Sequence, residues 1–433
     1  MTHTELDEAH LRPAVRAASK RLLAGLARRA CRRPGAHWLP VAAWAYLLAG
    51  RGPWWRMGER LPPRAAREPS PGHWPSVAVV VPARNEAAVL EQALPALLAQ
   101  QYPGHAWVVL VDDESTDGTA ELARRLAARG GGRGLGLTIV QGTPRPPGWA
   151  GKPWAMHQGL SRALEAPGRP EWVLFTDADI AHPADSLRQL VAGAVAGRRS
   201  AVSLMARLPT DHPWEKLLVP AFVYFFDQLY PFPLVNDPAR RAAAAAGGCL
   251  LVNVETLTAT GGIAPIGDRT IDDVALAKRL KAAGADIWLG LARGAGGGGL
   301  EVRSTRAYGG LAPLWDMVAR NAYTQLGYNP LALAGVLAAL GAVYVAPPLM
   351  VARGALGRRP ATALAGAVAW AAMATSYRPA VRYHGGPRGS EWALPFTAVL
   401  YGAMTATSAV RHRRGTTSWK GRPGAGAGPS GRR

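Results

Sequence analysis

Trp107-Val-Val-Leu-Val-Asp112-Asp113-Glu-Ser-Thr-Asp117-Gly118 runs a continuous apolar stretch straight into an acid-rich polar turn. The apolar part reads as a β-strand, and 119–129 behind it has the periodicity of a helix. Working outward, 77–81, 137–140, 172–176 and 200–204 are further short β-rich runs, separated by helical stretches at 87–101, 153–166 and 183–196. Pro153 and Pro183 are expected near first helical positions, where a missing N–H costs nothing. Apolar strands alternating with helices predict an α/β fold built on a doubly wound, mostly parallel sheet covered on both faces.

In such a sheet, ligands bind beyond the carboxyl ends of the strands. Three of those ends carry acids: Pro82-Ala-Arg84-Asn85-Glu86, the Asp112-Asp113 turn, and Asp177-Ala-Asp179. Asp117 and Thr116 have a plain alternative as helix caps. Asp177 and Asp179 do not, because alternate residues leaving a strand bring two carboxylates near one point, which is costly unless a cation holds them. Hard carboxylate oxygens suit a divalent cation, Mg²⁺ or Mn²⁺, bound with substrate phosphates.

The stretches VVVPARNEAAVL, VVLVDDESTDGT, FTDAD and TIDDVALAKRL, in this order, resemble the inverting family 2 glycosyltransferases of the GT-A fold over 75–329. GWAGKPWAMHQG, FTDADI, GGCLLVN and MVARNAYTQL are similar to the hopene-associated members. The resemblance implies a nucleotide-sugar donor contacted by Pro82, Glu86, Asp112 and Asp113, with Lys152, Asp177 and Arg320 also on the donor side. It implies a metal at Asp179 with Asp177, and Asp273, beside Asp272, as the base that deprotonates an acceptor hydroxyl. Lys152 has a plain reading as a solvated lysine at a helix start, and Asp273 one as a helix cap. The processive Gln-x-x-Arg-Trp motif is absent around Arg320. A lipid acceptor follows from the resemblance, hopanoid-related or alternatively polyprenyl phosphate. A different class, a nucleotide-binding membrane scaffold without turnover, is disfavoured by the intact Asp177, Asp179 and Asp273.

The flanks are of another character. Residues 326–352 carry no charge over a length that spans a bilayer, while 361–377 and 392–410 are borderline spans. The 36–56 segment is a short apolar anchor whose Arg51, Trp54, Trp55 and Arg56 resemble an interfacial belt. Residues 213–230 interleave aromatics with few charges, either a buried helix or an interfacial one that admits a lipid. The expected division is a basic extension 1–35 with an amphipathic helix at 14–33, the anchor 36–56, a catalytic domain 75–325, a transmembrane region 326–410 and a disordered basic tail 411–433.

Lys and Arg outnumber Asp and Glu by 50 to 29, a net charge of +21. Because arginines cluster around the apolar runs, a membrane surface is the expected partner and nucleic acid is not. The two cysteines, Cys31 and Cys249, form no CxxC or Cys/His cluster, which excludes a disulfide framework and a structural zinc site. The expected location is the cell membrane, with the catalytic part on the cytoplasmic side.

Overall fold

The computed structural model describes residues 35–61, 73–130, 134–292 and 301–416, with the backbone of 418–419 and 422–423. The amphipathic helix expected at 14–33, nearly all of the basic extension and most of the tail lie outside the described residues.

Strands β1 (Val77–Ala83), β2 (Ala106–Asp112), β3 (Gly136–Gln141), β4 (Trp172–Thr176), β6 (Ala201–Met205), β7 (Cys249–Asn253) and β8 (Ile287–Leu291) form one sheet in the order β3-β2-β1-β4-β7-β6-β8. All its pairings are parallel except those of β7, which runs antiparallel to β4 and β6. Two short strands, β5 (Ile180–Ala181) and β9 (Arg303–Ser304), pair antiparallel beside it. Along β1, Val77, Val79 and Val81 pack into one core while Ala78 and Val80 pack into the other. That alternation is why β1 carries no polar position: both faces are covered.

The helices over Thr119–Arg129 and Ser186–Ala196 end where the sequence places their C-termini. Two proline expectations fail. Pro153 is the third residue of Gly151–Leu164, and Pro183 lies ahead of Ser186–Ala196. The Pro183 carbonyl instead accepts from Ser186 N (2.9 Å) and Gln100 Nε2 (2.7 Å), which closes a turn before the helix begins. The helix expected at 87–101 stops at Leu98, because Gln101 N turns away to Ala184 O at 2.6 Å.

Among the described residues, three helices are long and apolar enough to cross a membrane: Pro213–Val235, Pro330–Leu356 and Ser390–Arg413. Pro360–Tyr383 is as long as the others, but its alanines carry less apolar surface than Leu or Val, and it does not join them. Only 11% of the most apolar window of Pro330–Leu356 is buried, with Leu331, Leu349 and Leu356 exposed, which is not the surface of a core helix. Pro213–Leu229 has its inner side locked among these helices, where Tyr224 meets Tyr377 edge to face and bonds Ser376 (2.8 Å) and the Leu218 carbonyl accepts from Tyr401 (2.9 Å).

The anchor segment is a short helix, Leu39–Ala45, that continues through a wider turn to Gly50. Its Trp44 explains a defect in the long apolar helix. Pro347 has no N–H to give to Val343 O four residues earlier, and the helix loosens at Gly341–Val345. The Trp44 indole N–H takes that orphaned carbonyl at 3.0 Å. The interfacial-belt expectation is corrected at Trp54, which is 1% exposed, donates to Leu47 O at 2.8 Å and packs on Tyr224.

Candidate active site

The turns after β1 and β2 are knitted into one surface. Asn85, held at φ 51°, accepts from Thr116 N (2.8 Å), while its own N–H donates to Ser115 Oγ (3.0 Å). Asp117 accepts from Ala87 N (3.0 Å) and Thr119 N (3.1 Å), so its role is to cap both following helices. Asp112 is buried and holds Ser115 N (3.2 Å) and Gln141 Nε2 (3.3 Å). Asp113 is equally buried, and its backbone accepts from the Arg84 guanidinium. Pro82 is half-buried and pairs with Val111 across the sheet.

Farther along the same edge, Lys152 gathers three acids. Its Nζ lies 2.8 Å from Asp177 Oδ1 and 3.5 Å from Asp272 Oδ2, and Asp273 adds to the field. Lys152 is therefore no solvated helix-start lysine. Burial works against its charge, but the three carboxylates outweigh that and hold its pKa above the ordinary value. Asp272 and Asp273 open the Asp272–Ala282 helix. Asp273 Oδ2 accepts from Gly247 N at 2.8 Å and Oδ1 from Val274 N at 2.7 Å, which fixes the carboxylate without capping the helix in the usual way. Burial, then Asp272, push Asp273 up to about 6 against the pull of Lys152. Burial likewise pushes Asp177 up to about 6, opposed by Lys152 and assisted by Asp179.

Gly247 is required by this packing. A Cβ there would sit 2.9 Å from Lys152 Nζ and 3.2 Å from Asp273 Oδ2. The turn that carries it is pinned by Ser203 Oγ, which bonds Ala246 N at 2.8 Å and Cys249 O at 3.1 Å. Thr176 Oγ1 donates to Gly248 O at 2.8 Å and meets buried His182, whose pKa burial lowers to about 4 and which acts here as a neutral strut.

Asp179 belongs to a second cation. Its Oδ2 accepts from Arg306 Nε at 3.0 Å and Ser304 Oγ at 3.0 Å, and the same guanidinium pairs with Glu86. The Arg306 loop is staked at both ends. Thr305 N donates to Asp179 O at 2.7 Å, while Tyr308 N (2.7 Å) and Gly309 N (3.2 Å) donate to Glu215 Oε1. Glu215 Oε2 takes Asp211 N and His212 N, both at 3.0 Å, at the head of the Pro213–Leu229 helix. The sequence offered no signal for Arg306, whose partners are 127 and 220 residues away. Glu215 sits at the third position of a capping box, a pattern legible in principle.

Arg320 is not among the carboxylates; its electrostatic neighbours are Tyr308, Arg306 and Asp316. Asp177 and Asp179 suit a divalent cation, yet each already carries a cationic side chain. Among the described residues no group of three His, Cys, Asp or Glu side chains converges on a metal position. That donor set fits a cation that arrives with substrate phosphates and takes one or two protein carboxylates, and does not fit a closed all-protein cage.

Residues 78–250 match the family model described as Glycosyl transferase family 2; Asp272, Asp273, Arg306 and Arg320 lie beyond the matched residues. The chain is 30% identical over 127 residues to an undecaprenyl-phosphate 4-deoxy-4-formamido-L-arabinose transferase of Aeromonas hydrophila, covering 28% of this chain and 34% of that protein. It is 27% identical over 204 residues to a 4,4'-diaponeurosporenoate glycosyltransferase of Staphylococcus aureus, covering 46% of this chain and 50% of the relative. The chain thus spans half or less of these relatives' own lengths. A solved mannosyltransferase from Pyrobaculum calidifontis, in complex with GDP-Man and Mn²⁺, superposes with a TM-score of 0.48 at 22% identity, covering 86% of this chain and 97% of that one.

Proposed function

We propose that this chain is a membrane-bound inverting glycosyltransferase that moves a sugar from a nucleotide-sugar donor to the hydroxyl or phosphate of a lipid. The observation that carries the reading is Asp273, a carboxylate fixed by Gly247 N–H at 2.8 Å beside the Lys152–Asp177 pair. It stands at the strand-end edge where α/β sheets bind ligands. The names of the relatives, with undecaprenyl phosphate and diaponeurosporenoate, support a lipid acceptor. A hopanoid-related lipid and polyprenyl phosphate are its two candidate forms.

In this reading, Pro82, Glu86, Asp112 and Asp113 face the nucleoside of the donor, and Lys152 supplies positive charge toward the breaking bond. A divalent cation held by Asp179 with Asp177 would neutralise charge on the departing diphosphate. Asp273 accepts the acceptor's proton as its oxygen attacks the anomeric carbon from the face opposite the leaving group. Its elevated pKa brings it closer to the working range of a base while leaving it ionised at neutral pH. The positive charge of Lys152 nearby favours that ionised form. The apolar helices hold this edge at the bilayer surface, with the catalytic domain on the cytoplasmic side, where the lipid's polar end meets Asp273.

The test is to incubate membranes containing the chain with a panel of radiolabelled nucleotide sugars and to extract the lipids. One donor should label a lipid band that membranes without the chain lack. Donor hydrolysis with no labelled lipid under any condition would contradict the lipid acceptor.

A further inference from the structure

We propose that Arg306 is a donor-diphosphate ligand that, before the donor arrives, is stored on Asp179 and Glu86. This inference rests on the nucleotide-sugar reading of the same edge. The observations are geometric. Arg306 bridges two carboxylates from the ends of neighbouring strands, Glu86 after β1 and Asp179 after β4. It stands on a short loop fixed on both sides of it, by Thr305 to the Asp179 backbone and by Tyr308 and Gly309 to Glu215. Fixed flanks let the side chain change partners without moving the loop. Its side chain is 36% exposed, against 12% and 15% for Glu86 and Asp179, so the guanidinium keeps an open side that its carboxylate partners lack.

The charge balance supplies the reason for an exchange. A diphosphate set against Glu86, Asp177 and Asp179 is repelled unless cations face it, and Arg306 already lies among them. A planar guanidinium grips phosphate oxygens as well as it grips carboxylates, so the swap conserves its hydrogen bonds. Its departure also frees Asp179 Oδ2. A divalent ion and a guanidinium do not share one carboxylate oxygen comfortably, so the stored state disfavours metal without nucleotide. Glu215, in the first turn of an apolar helix packed on the C-terminal helices, ties this loop to the membrane region.

Binding to the full chain in detergent tests this, using Mn²⁺ followed by its paramagnetic resonance signal, with UDP, GDP, uridine and guanosine as probes. Arg306→Gln is expected to bind Mn²⁺ alone about tenfold more tightly than wild type, and to lose tenfold or more in affinity for Mn²⁺ with UDP or GDP. Affinity for the bare nucleoside should not change. If Arg306→Gln leaves diphosphate affinity intact, Arg306 is a structural tie and the inference is overturned. Should that variant fail to fold, Arg306→Lys keeps the charge without the fork and is expected to lose part of the diphosphate affinity; unaltered affinity there overturns the inference equally. Wild type that binds neither UDP nor GDP would overturn the donor-site reading itself, a result distinct from a wild type that binds them through other residues.

Discussion

Two cations organise the acidic edge of the sheet, and they do so differently. Lys152 sits inside a nest of Asp177, Asp272 and Asp273, with its side chain 23% exposed and that of Asp272 only 8%. Arg306 lies across Glu86 and Asp179 with an open side. A charge enclosed by three acids cannot leave without stranding them, so the Lys152 cluster is a permanent part of the folded state. A half-open bidentate cation can trade one anion for another. Burial therefore separates a fixed cluster from an adaptable one, which the proposed function reads as the catalytic half and the donor half.

The strongest way to break this contrast is Lys152→Met. It leaves three carboxylates without their cation, and because Asp272 is only 8% exposed its uncompensated charge lowers stability. The unfolding midpoint should drop sharply at pH 8 and recover as pH falls toward 6, because protonation removes the stranded charges from acids whose pKa already stands high. Equal destabilisation at both pH values would show that the lysine packs but does not neutralise.

Gly247→Ala sharpens the contrast at lower cost. The new methyl meets the ends of two side chains, Lys152 and Asp273, and no backbone, so the fold should persist while the geometry slips. Transfer is expected to fall about tenfold or more, on the scale of a misplaced reacting group, with an unchanged unfolding midpoint. Full activity would mean that the 2.8 Å bond from Gly247 N to Asp273 does not matter to the reaction.

The smallest effect belongs to the membrane region. Trp44→Phe keeps an aromatic ring against Tyr344 but leaves Val343 O unpaired in apolar surroundings, a loss of about 1–2 kcal/mol. Thermal unfolding in detergent should register it, with transfer unaffected at ordinary temperature.

Much of the sheet was legible because a strand covered on both faces must be apolar throughout, and such runs ending in Asp or Glu stand out. The antiparallel course of β7 was not, since Cys249–Asn253 looks like any buried strand and direction leaves no local trace. The acids Glu86, Asp112, Asp113, Asp177 and Asp179 do come to one edge of the fold, as their strand-end positions implied, and Asp272 and Asp273 join them there, as the resemblance implied. Their partners were invisible. Arg306 occupies a loop with no motif, and its pairing with residues far earlier in the chain exists only after the whole sheet has closed. Trp54 misled for the opposite reason: beside arginines and an apolar run it looks interfacial, yet Tyr224 and the Leu47 carbonyl take it into the core.

The most direct measurement is a paired one on Asp273→Asn, with donor affinity and transfer to lipid recorded on the same preparation. The proton moves only as the glycosidic bond forms, so transfer should fall by about 10² or more while donor affinity stays within a few-fold. In the wild type, transfer should decline about tenfold per pH unit below about 6, as Asp273 becomes protonated, and the variant should lack that dependence. Transfer by Asp273→Asn at near the wild-type rate, with the acid limb still present, would contradict the account and move the base to another carboxylate.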